Sequence, residues 1–225
     1  MVKRPNSQAE LAQFIDHTLL KADVTIRELE RMCDEAKQWN FATVCVNSCH
    51  VSFIAKKLEG SDVSPIAVVG FPLGAASSVS KAFEAQKAVH DGAREIDMVI
   101  NIGALKSKDY ETVVKDVAQV VQASQPAGVK VILETALLSD EEKIIACALA
   151  KAGGAAFVKT STGFSSGGAK VADVVLMRRI VGDDMGVKAS GGIKTLADAQ
   201  AMIDAGANRL GCSSSVEIIS SRDLV

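Results

Sequence analysis

Short apolar runs alternate with longer amphipathic segments along nearly the whole chain, and this alternation limits the folds that the sequence can adopt. Eight runs have the length and composition of β-strands, and eight segments have the periodicity of α-helices. Consecutive strands that are joined by helices pair in parallel, because a parallel connection needs a crossover. The predicted strands cover residues 17–20, 43–47, 66–71, 95–101, 130–135, 156–161, 186–190 and 209–213. The predicted helices cover residues 25–39, 48–59, 75–91, 108–123, 140–152, 172–181, 196–205 and 214–220.

Eight strand–helix units in a chain of 225 residues favour a closed parallel (β/α)8 TIM barrel. An open doubly wound sheet is the alternative that the pattern leaves. Ser139 and Thr195 have the chemistry of helix N-caps, and several helices are expected to end at glycine, namely at Gly60, Gly92, Gly153 and Gly206. No linker or change of composition divides residues 1–225, so one domain is expected.

Composition and charge exclude several classes of function. A formal net charge of -2, with one Trp and one Tyr, argues against a nucleic-acid surface. The longest nearly apolar stretch, residues 66–76, is interrupted by Gly70, Pro72 and Gly74, and is too short to span a bilayer. Because the first ten residues also lack an apolar signal core, we expect a cytoplasmic protein without a membrane partner.

The cysteine and histidine pattern predicts no metal site. Five scattered cysteines do not resemble the disulfide framework of a secreted domain. Cys45, Cys49 and His50 have a spacing that weakly resembles a metal motif, but no second ligand pair follows at zinc-binding spacing.

Three predicted strands contain a charged residue that a purely structural strand would avoid. Asp97, Lys159 and Lys188 each interrupt an apolar run, and their apolar neighbours point to the opposite side of the strand. If those neighbours face the surrounding helices, the three charges point into the barrel. Charges inside a core usually mark function or a tight ion pair, so an Asp97–lysine pair that holds the barrel mouth is the structural alternative.

Lys159 and Lys188 lie on adjacent predicted strands, about 4.8 Å apart at the backbone. Mutual repulsion and burial favour the neutral form of one of the two amines. Lowering a lysine pKa from about 10.4 to about 7 requires roughly 4.6 kcal/mol, and this is a recognised way to activate a Schiff-base lysine. Asp97 adds a carboxylate that is suited to proton transfer at the same carbon.

Glycines and hydroxyl residues follow the last three predicted strands, where a barrel often binds phosphate. Glycine turns and helix N-termini expose backbone N–H groups that bind anions. The residues concerned are Thr160, Ser161, Thr162, Gly163, Ser190, Gly191, Gly192, Ser213 and Ser214. Their position on one rim predicts a phosphate site there.

Six segments resemble the deoxyribose-phosphate aldolase family, and the resemblance extends from residue 11 to residue 219. They are DHTLLK at residues 16–21, VCVN at 44–47, GFPLG at 70–74, EIDMVIN at 95–101, FVKTSTGF at 157–164 and VKASGG at 187–192. The resemblance implies a class I aldolase without a cofactor, which reversibly converts 2-deoxy-D-ribose 5-phosphate into D-glyceraldehyde 3-phosphate and acetaldehyde.

The same resemblance assigns roles to individual residues. It implies that Lys159 forms the Schiff base, that Asp97 and Lys188 transfer protons, and that Asp16, Thr18 and Cys45 lie near the substrate. Without it, Cys45 has the pattern of a core residue.

The sequence departs from the family pattern at three places. Lys194 stands where arginine is commoner, and residues 211–215 read GCSSS instead of GTSSG. Both departures concern phosphate binding rather than the reaction type. Residues 223–225 include no tyrosine, so the contribution that a C-terminal tyrosine makes in some relatives is not expected.

Three other functions fit parts of the pattern. A metal-dependent aldolase would need clustered ligands, whereas His17, His50 and His90 are dispersed. An isomerase or synthase using Asp97 or Glu134 would explain the phosphate rim but not the paired lysines. A barrel that only binds a sugar phosphate would not need Asp97, Lys159 and Lys188 together. The default expectation for assembly is a homodimer.

Overall fold

The computed structural model describes residues 2–221 and shows a closed barrel of eight parallel strands. Each strand pairs with the next in sequence, and the eighth pairs with the first through Ile15–Leu210, Asp16–Gly211 and His17–Cys212. This closure confirms the predicted TIM barrel and excludes the open sheet. The expectation about a C-terminal tyrosine concerns residues 223–225, which lie outside the described residues.

The strands are short, as expected for a barrel of this size. They are β1 (Ile15–Leu19), β2 (Thr43–Asn47), β3 (Ser64–Val69), β4 (Glu95–Val99), β5 (Gly128–Ile132), β6 (Phe157–Lys159), β7 (Gly186–Ser190) and β8 (Arg209–Cys212).

Helices connect the strands and cover the outside of the barrel. They are α1 (Gln8–Ala12), α2 (Ile26–Trp39), α3 (Val51–Lys57), α4 (Ser78–His90), α5 (Ile102–Lys106), α6 (Tyr110–Ala123), α7 (Asp140–Ala152), α8 (Val171–Val181), α9 (Leu196–Asp204) and α10 (Ser215–Ile219). Two short 3₁₀ turns, Ser48–His50 and Thr135–Leu137, follow β2 and β5. No helix among the described residues is both long and apolar enough to cross a membrane.

Helix boundaries follow the capping chemistry of the sequence. Ser139 and Thr195 each accept a hydrogen bond from the third helical N–H of α7 and α9, and the Glu142 and Asp198 side chains complete capping boxes. The predicted glycine ending at Gly153 is confirmed, because Gly153 is the C-cap of α7, and the next glycine, Gly154, adopts the positive φ of 84°.

Strand side chains alternate between two environments, as the sequence pattern predicts. Ile96, Met98, Val158 and Val187 are buried in the apolar layer between the barrel and its helices. Inside the barrel a smaller apolar cluster contains Leu20, Cys45, Ile66 and Val68. The remaining inward positions of β1 and of β4 to β8 include the charged residues that form the candidate site.

Candidate active site

The three charged residues predicted to point inward meet at the centre of the barrel. Lys159 Nζ lies 2.8 Å from Asp97 Oδ2, and Lys188 Nζ lies 2.7 Å from the same oxygen. The lysines are register partners on β6 and β7, so both amines reach one carboxylate from adjacent strands. Their side chains are 2% exposed for Lys159 and 0% exposed for Lys188 and Asp97. The structural alternative of one simple Asp97–lysine pair is therefore incomplete.

Four further charged residues surround these three. Lys130 Nζ donates to Asp97 Oδ1 at 3.0 Å and also to Glu95. Arg209 donates to Asp16 Oδ1 at 2.6 Å and to Glu95 Oε1 at 3.1 Å. Asp16 Oδ2 lies 2.5 Å from Lys188 Nζ. Each carboxylate is thus shared between at least two cations, which offsets the cost of burying it.

The two central lysines differ in the direction of their pKa shifts. Burial favours neutral Lys159, Asp97 opposes this effect, and Lys188 adds repulsion, so the pKa of Lys159 lies below its ordinary value. Burial acts on Lys188 in the same direction, but Asp16 and Asp97 together outweigh it and raise the pKa of Lys188. Lys159 is therefore the better nucleophile, while Lys188 is held as an ammonium.

The carboxylates remain ionised in this setting. Burial would raise the pKa of Asp97, but Lys130, Lys159 and Lys188 hold the pKa of Asp97 well below its ordinary value. Burial likewise opposes ionisation of Asp16, whose pKa is lowered by Lys188, Lys130 and Arg209. For Cys45, burial raises the pKa to about 11, so its thiol stays protonated.

A cavity of about 300 Å³ opens above Lys159 at the carboxyl end of the strands. Lys21 and Lys194 give its walls positive charge, and no carboxylate of the described residues lines it, so the cavity favours an anionic ligand. The lining residues are Thr18, Leu19, Leu20, Lys21, Lys159, Thr162, Gly163, Phe164, Ser190, Gly191, Gly192, Ile193, Lys194, Gly211 and Ser213.

A turn of two glycines forms one wall of this cavity. Gly191 and Gly192 have φ of 88° and 80°, a conformation that side chains rarely adopt. Gly191 O accepts a hydrogen bond of 2.9 Å from Ala169 N, which fixes the turn to the loop after β6. A Cβ on Gly192 would meet nothing within 4 Å, so this backbone is open to a ligand. Backbone N–H groups exposed in turns of this kind are suited to anion binding.

Most residues predicted for substrate binding surround this cavity. Thr18, Gly163, Gly191, Gly192 and Ser213 line it, as does Lys194. Asp16 and Cys45 lie deeper, inside the barrel, and are completely buried.

Two further predicted binding residues, Thr160 and Ser214, also do not line the cavity. The Thr160 hydroxyl donates to Ser190 O at 3.1 Å and accepts from Ser190 N at 3.0 Å, so it joins the ends of β6 and β7. Ser214 is the N-cap residue of α10, which has only five residues, so the terminal helix supplies less anion-binding potential than predicted. A substrate role for either residue stays a prediction.

The dispersed histidines and Glu134 have other contacts. His17 is bonded to Ser215 at 2.9 Å and to Glu35 at 3.0 Å, outside the barrel. Glu134 accepts a hydrogen bond of 3.2 Å from Thr162 N and thereby supports the loop beside Lys159. Across residues 2–221, no three His, Cys, Asp or Glu side chains are grouped as metal ligands.

The structure also identifies residues that the sequence interpretation missed. Lys130 interrupts an apolar run in the same way as Asp97, but it stands at the beginning of the predicted strand 130–135 and so resembles a strand-end charge. Glu95 and Arg209 are the first residues of β4 and β8, where surface charges are common. Lys21 and Phe164 have no local signal that places them on the cavity wall.

Comparison with known proteins agrees with the geometry. Residues 11–220 match the model of the DeoC/LacD family aldolases. The chain is 59% identical to a deoxyribose-phosphate aldolase of Clostridium novyi over 93% of this chain and 95% of that protein. It is 57% identical to a deoxyribose-phosphate aldolase of Aciduliprofundum boonei over 96% and 98% of the two chains.

A solved structure shows the same fold. The tetrameric deoxyribose phosphate aldolase of Aeropyrum pernix superimposes with a TM-score of 0.92 at 34% identity, covering 99% of this chain and 95% of that one. Because the family match and the relatives extend over nearly the full length, this chain belongs to the DeoC/LacD family of aldolases.

Proposed function

We propose that this aldolase cleaves 2-deoxy-D-ribose 5-phosphate into D-glyceraldehyde 3-phosphate and acetaldehyde, with Lys159 as the Schiff-base residue. The observation that carries the proposal is the contact of two buried lysines of opposite pKa shift with one carboxylate, at the base of a cationic cavity. The names of relatives that match over nearly their full length support this assignment of the substrate.

The proposed reaction uses the neutral amine of Lys159 as the nucleophile. Its lone pair attacks the aldehyde carbon of the open-chain sugar, and loss of water gives a protonated imine. Removal of the proton from the C3 hydroxyl then breaks the C2–C3 bond, and the bonding electrons move onto the imine as an enamine. Glyceraldehyde 3-phosphate leaves, the enamine carbon takes up a proton, and hydrolysis releases acetaldehyde and free Lys159.

Asp97 and Lys188 are placed to move these protons. Asp97 Oδ2 contacts both amines, so it can accept a proton near Lys159 while Lys188 supplies one. The Asp97–Lys188 pair is completely buried, so bulk water cannot readily substitute for it. General acid–base catalysis needs such groups within hydrogen-bond reach of the transferred proton, either directly or through one water.

We assign the phosphate group to the wall that contains Gly191, Gly192 and Ser213, with Lys194 nearby. These residues line the same cavity as Lys159. The N–H groups of the glycine turn and the lysine charge are the groups that bind phosphate in other barrels. A sugar bound with its phosphate on this wall extends its aldehyde end towards Lys159.

Ser213→Asp is expected to reduce kcat/KM for deoxyribose 5-phosphate by about 100-fold, because an added carboxylate repels the phosphate dianion. On unphosphorylated deoxyribose the same variant should change by less than about threefold, since the reacting carbons lie at the far end of the sugar. Ser213→Asn is the matched control, because it has similar size without the charge. Equal losses on both sugars would place the phosphate on another wall.

The proposed activity is tested directly with purified protein and 2-deoxy-D-ribose 5-phosphate. Equimolar release of glyceraldehyde 3-phosphate and acetaldehyde is expected, both in untreated protein and after exhaustive chelation. Loss of activity with chelator and its return with a divalent cation would favour a metal-dependent aldolase. Binding without turnover would favour the non-catalytic alternative.

We further propose that the chain functions as a single-domain homodimer in the cytoplasm. Exposed apolar Val79 and Phe83 of α4, which are 75% and 68% accessible, support self-association. Light scattering at assay concentrations tests this proposal, and a monomer would contradict it.

A further inference from the structure

Six buried or half-buried charges form a closed ring through the barrel, in which anions and cations alternate. The order around the ring is Asp16, Lys188, Asp97, Lys130, Glu95 and Arg209, and the contact of Arg209 with Asp16 closes the ring. Every link is 3.1 Å or shorter. Three carboxylates therefore balance three cations, and the ring is neutral without any contribution from Lys159.

Lys159 is attached to this ring but does not belong to it. Its amine shares Asp97 Oδ2 with Lys188, which is already the cationic neighbour of Asp97 in the ring. The groups that face Lys159 are Asp97 from β4, Lys188 from β7 and the neutral thiol of Cys45 from β2. A proton on Lys159 would thus add an unbalanced charge to a neutral buried cluster, which is costly.

Two members of the ring, Glu95 and Arg209, do not line the cavity above Lys159. They begin β4 and β8 at the amino end of the barrel. Their side chains are 22% and 19% exposed. They cannot touch a substrate bound above Lys159, yet each contacts a residue that contacts Asp97 or Lys188.

We propose that Glu95 and Arg209 are positioning residues which, through the charge ring, set the pH range in which the Lys159 amine is neutral. This inference rests on the proposed role of Lys159 as the nucleophile. The ring orients Asp97 and Lys188 from below and fixes the net charge that Lys159 experiences. Because Glu95 and Arg209 have opposite charges, removing one should move this pH range in the opposite direction from removing the other.

The direction of each shift follows from the net charge of the ring after one residue is removed. Without Arg209 the ring has an excess negative charge, which stabilises protonated Lys159 and raises the pH at which its amine becomes neutral. Without Glu95 the ring has an excess positive charge, which favours the neutral amine and lowers that pH. We expect each variant to shift this pH by about one unit. The shift is limited because part of the barrel separates Glu95 and Arg209 from the Lys159 amine, and the amino end of the barrel is partly solvated.

The test is the rate of irreversible inactivation by acetaldehyde with cyanoborohydride, measured against pH. The acid limb of this profile should move to higher pH in Arg209→Met and to lower pH in Glu95→Gln. At a fixed pH on the limb, inactivation should slow about tenfold in the first variant and accelerate by a similar factor in the second. The double variant restores a neutral ring and should return the limb close to its original position.

Charge-conserving variants provide the controls. Arg209→Lys and Glu95→Asp keep the ring neutral, so their limbs should stay in place even if both proteins lose thermal stability. A purely structural role would lower stability or amplitude in all variants without moving the limb. If Arg209→Met does not fold, comparison of the acid limbs of Glu95→Gln and Glu95→Asp still tests the proposal.

Two outcomes overturn the inference. One is an unchanged acid limb in folded Glu95→Gln. The other is a shift of the acid limb in the same direction in both single variants. Failure of the proposed function is distinguishable, because wild-type protein would then show no inactivation by acetaldehyde and cyanoborohydride at any pH.

Discussion

Replacing Lys159 with methionine is expected to reduce kcat for deoxyribose 5-phosphate cleavage by at least about 10⁴-fold. Methionine fills a similar volume but has no amine, so the covalent route is lost while the cavity keeps its shape. Lys188 cannot take over, because its contacts with Asp16 and Asp97 raise its pKa and keep it protonated. The measurement is steady-state turnover of the purified variant.

The same substitution should leave the fold intact. Because the six-charge ring is neutral without Lys159, the free energy of unfolding should change by no more than about 1 kcal/mol. Lys143→Met is the matched control, since Lys143 pairs with Asp173 at 2.7 Å outside the barrel. That control should lose stability and keep activity. A Lys159→Met enzyme within about tenfold of the original rate would contradict the assignment.

Replacing Asp97 with asparagine is expected to slow cleavage by about 10²- to 10⁴-fold, because the amide keeps the shape but cannot exchange a proton. Proton exchange at the methyl carbon of acetaldehyde, followed by NMR in deuterated water, should slow in parallel. The variant also leaves Lys130 and Lys188 without their shared anion, so it should lose about 3–5 kcal/mol of stability.

Asp116→Asn separates these two effects. Asp116 forms a buried ion pair with Lys81 at 2.6 Å between α6 and α4, away from Lys159. The Asp116→Asn variant should lose about as much stability as Asp97→Asn. Its cleavage rate should not fall when both variants are assayed below their unfolding temperatures. Equal rate losses in the two variants, or an Asp97→Asn rate within twofold of the original, would reduce Asp97 to a structural ion-pair partner.

The barrel could be predicted from the sequence because each strand–helix unit has its own local signal. The ends of the elements were less predictable. Strand β1 begins at Ile15 instead of at residue 17, since the inward-facing Asp16 resembles a residue of a turn. Helices α1 and α5 were missed, because five residues are too few to show helical periodicity.

The candidate site could be predicted only in part. Asp97, Lys159 and Lys188 were recognisable because each places a charge inside an apolar run. The roles of Glu95 and Arg209 were not, since a charge at the first position of a strand is ordinary at a protein surface. Their function in the ring depends on β8 pairing with β1, which brings Arg209 next to Asp16 from 193 residues away.

The most direct test of the Schiff-base mechanism is reduction with borohydride in the presence of acetaldehyde, followed by peptide mass mapping. The neutral amine of Lys159 should form an imine, which hydride converts into a stable secondary amine. We expect complete inactivation with one ethyl group per chain, on the peptide that contains Lys159. An adduct mainly on Lys188 would reverse the roles of the two lysines, and inactivation without any lysine adduct would contradict the Schiff-base mechanism.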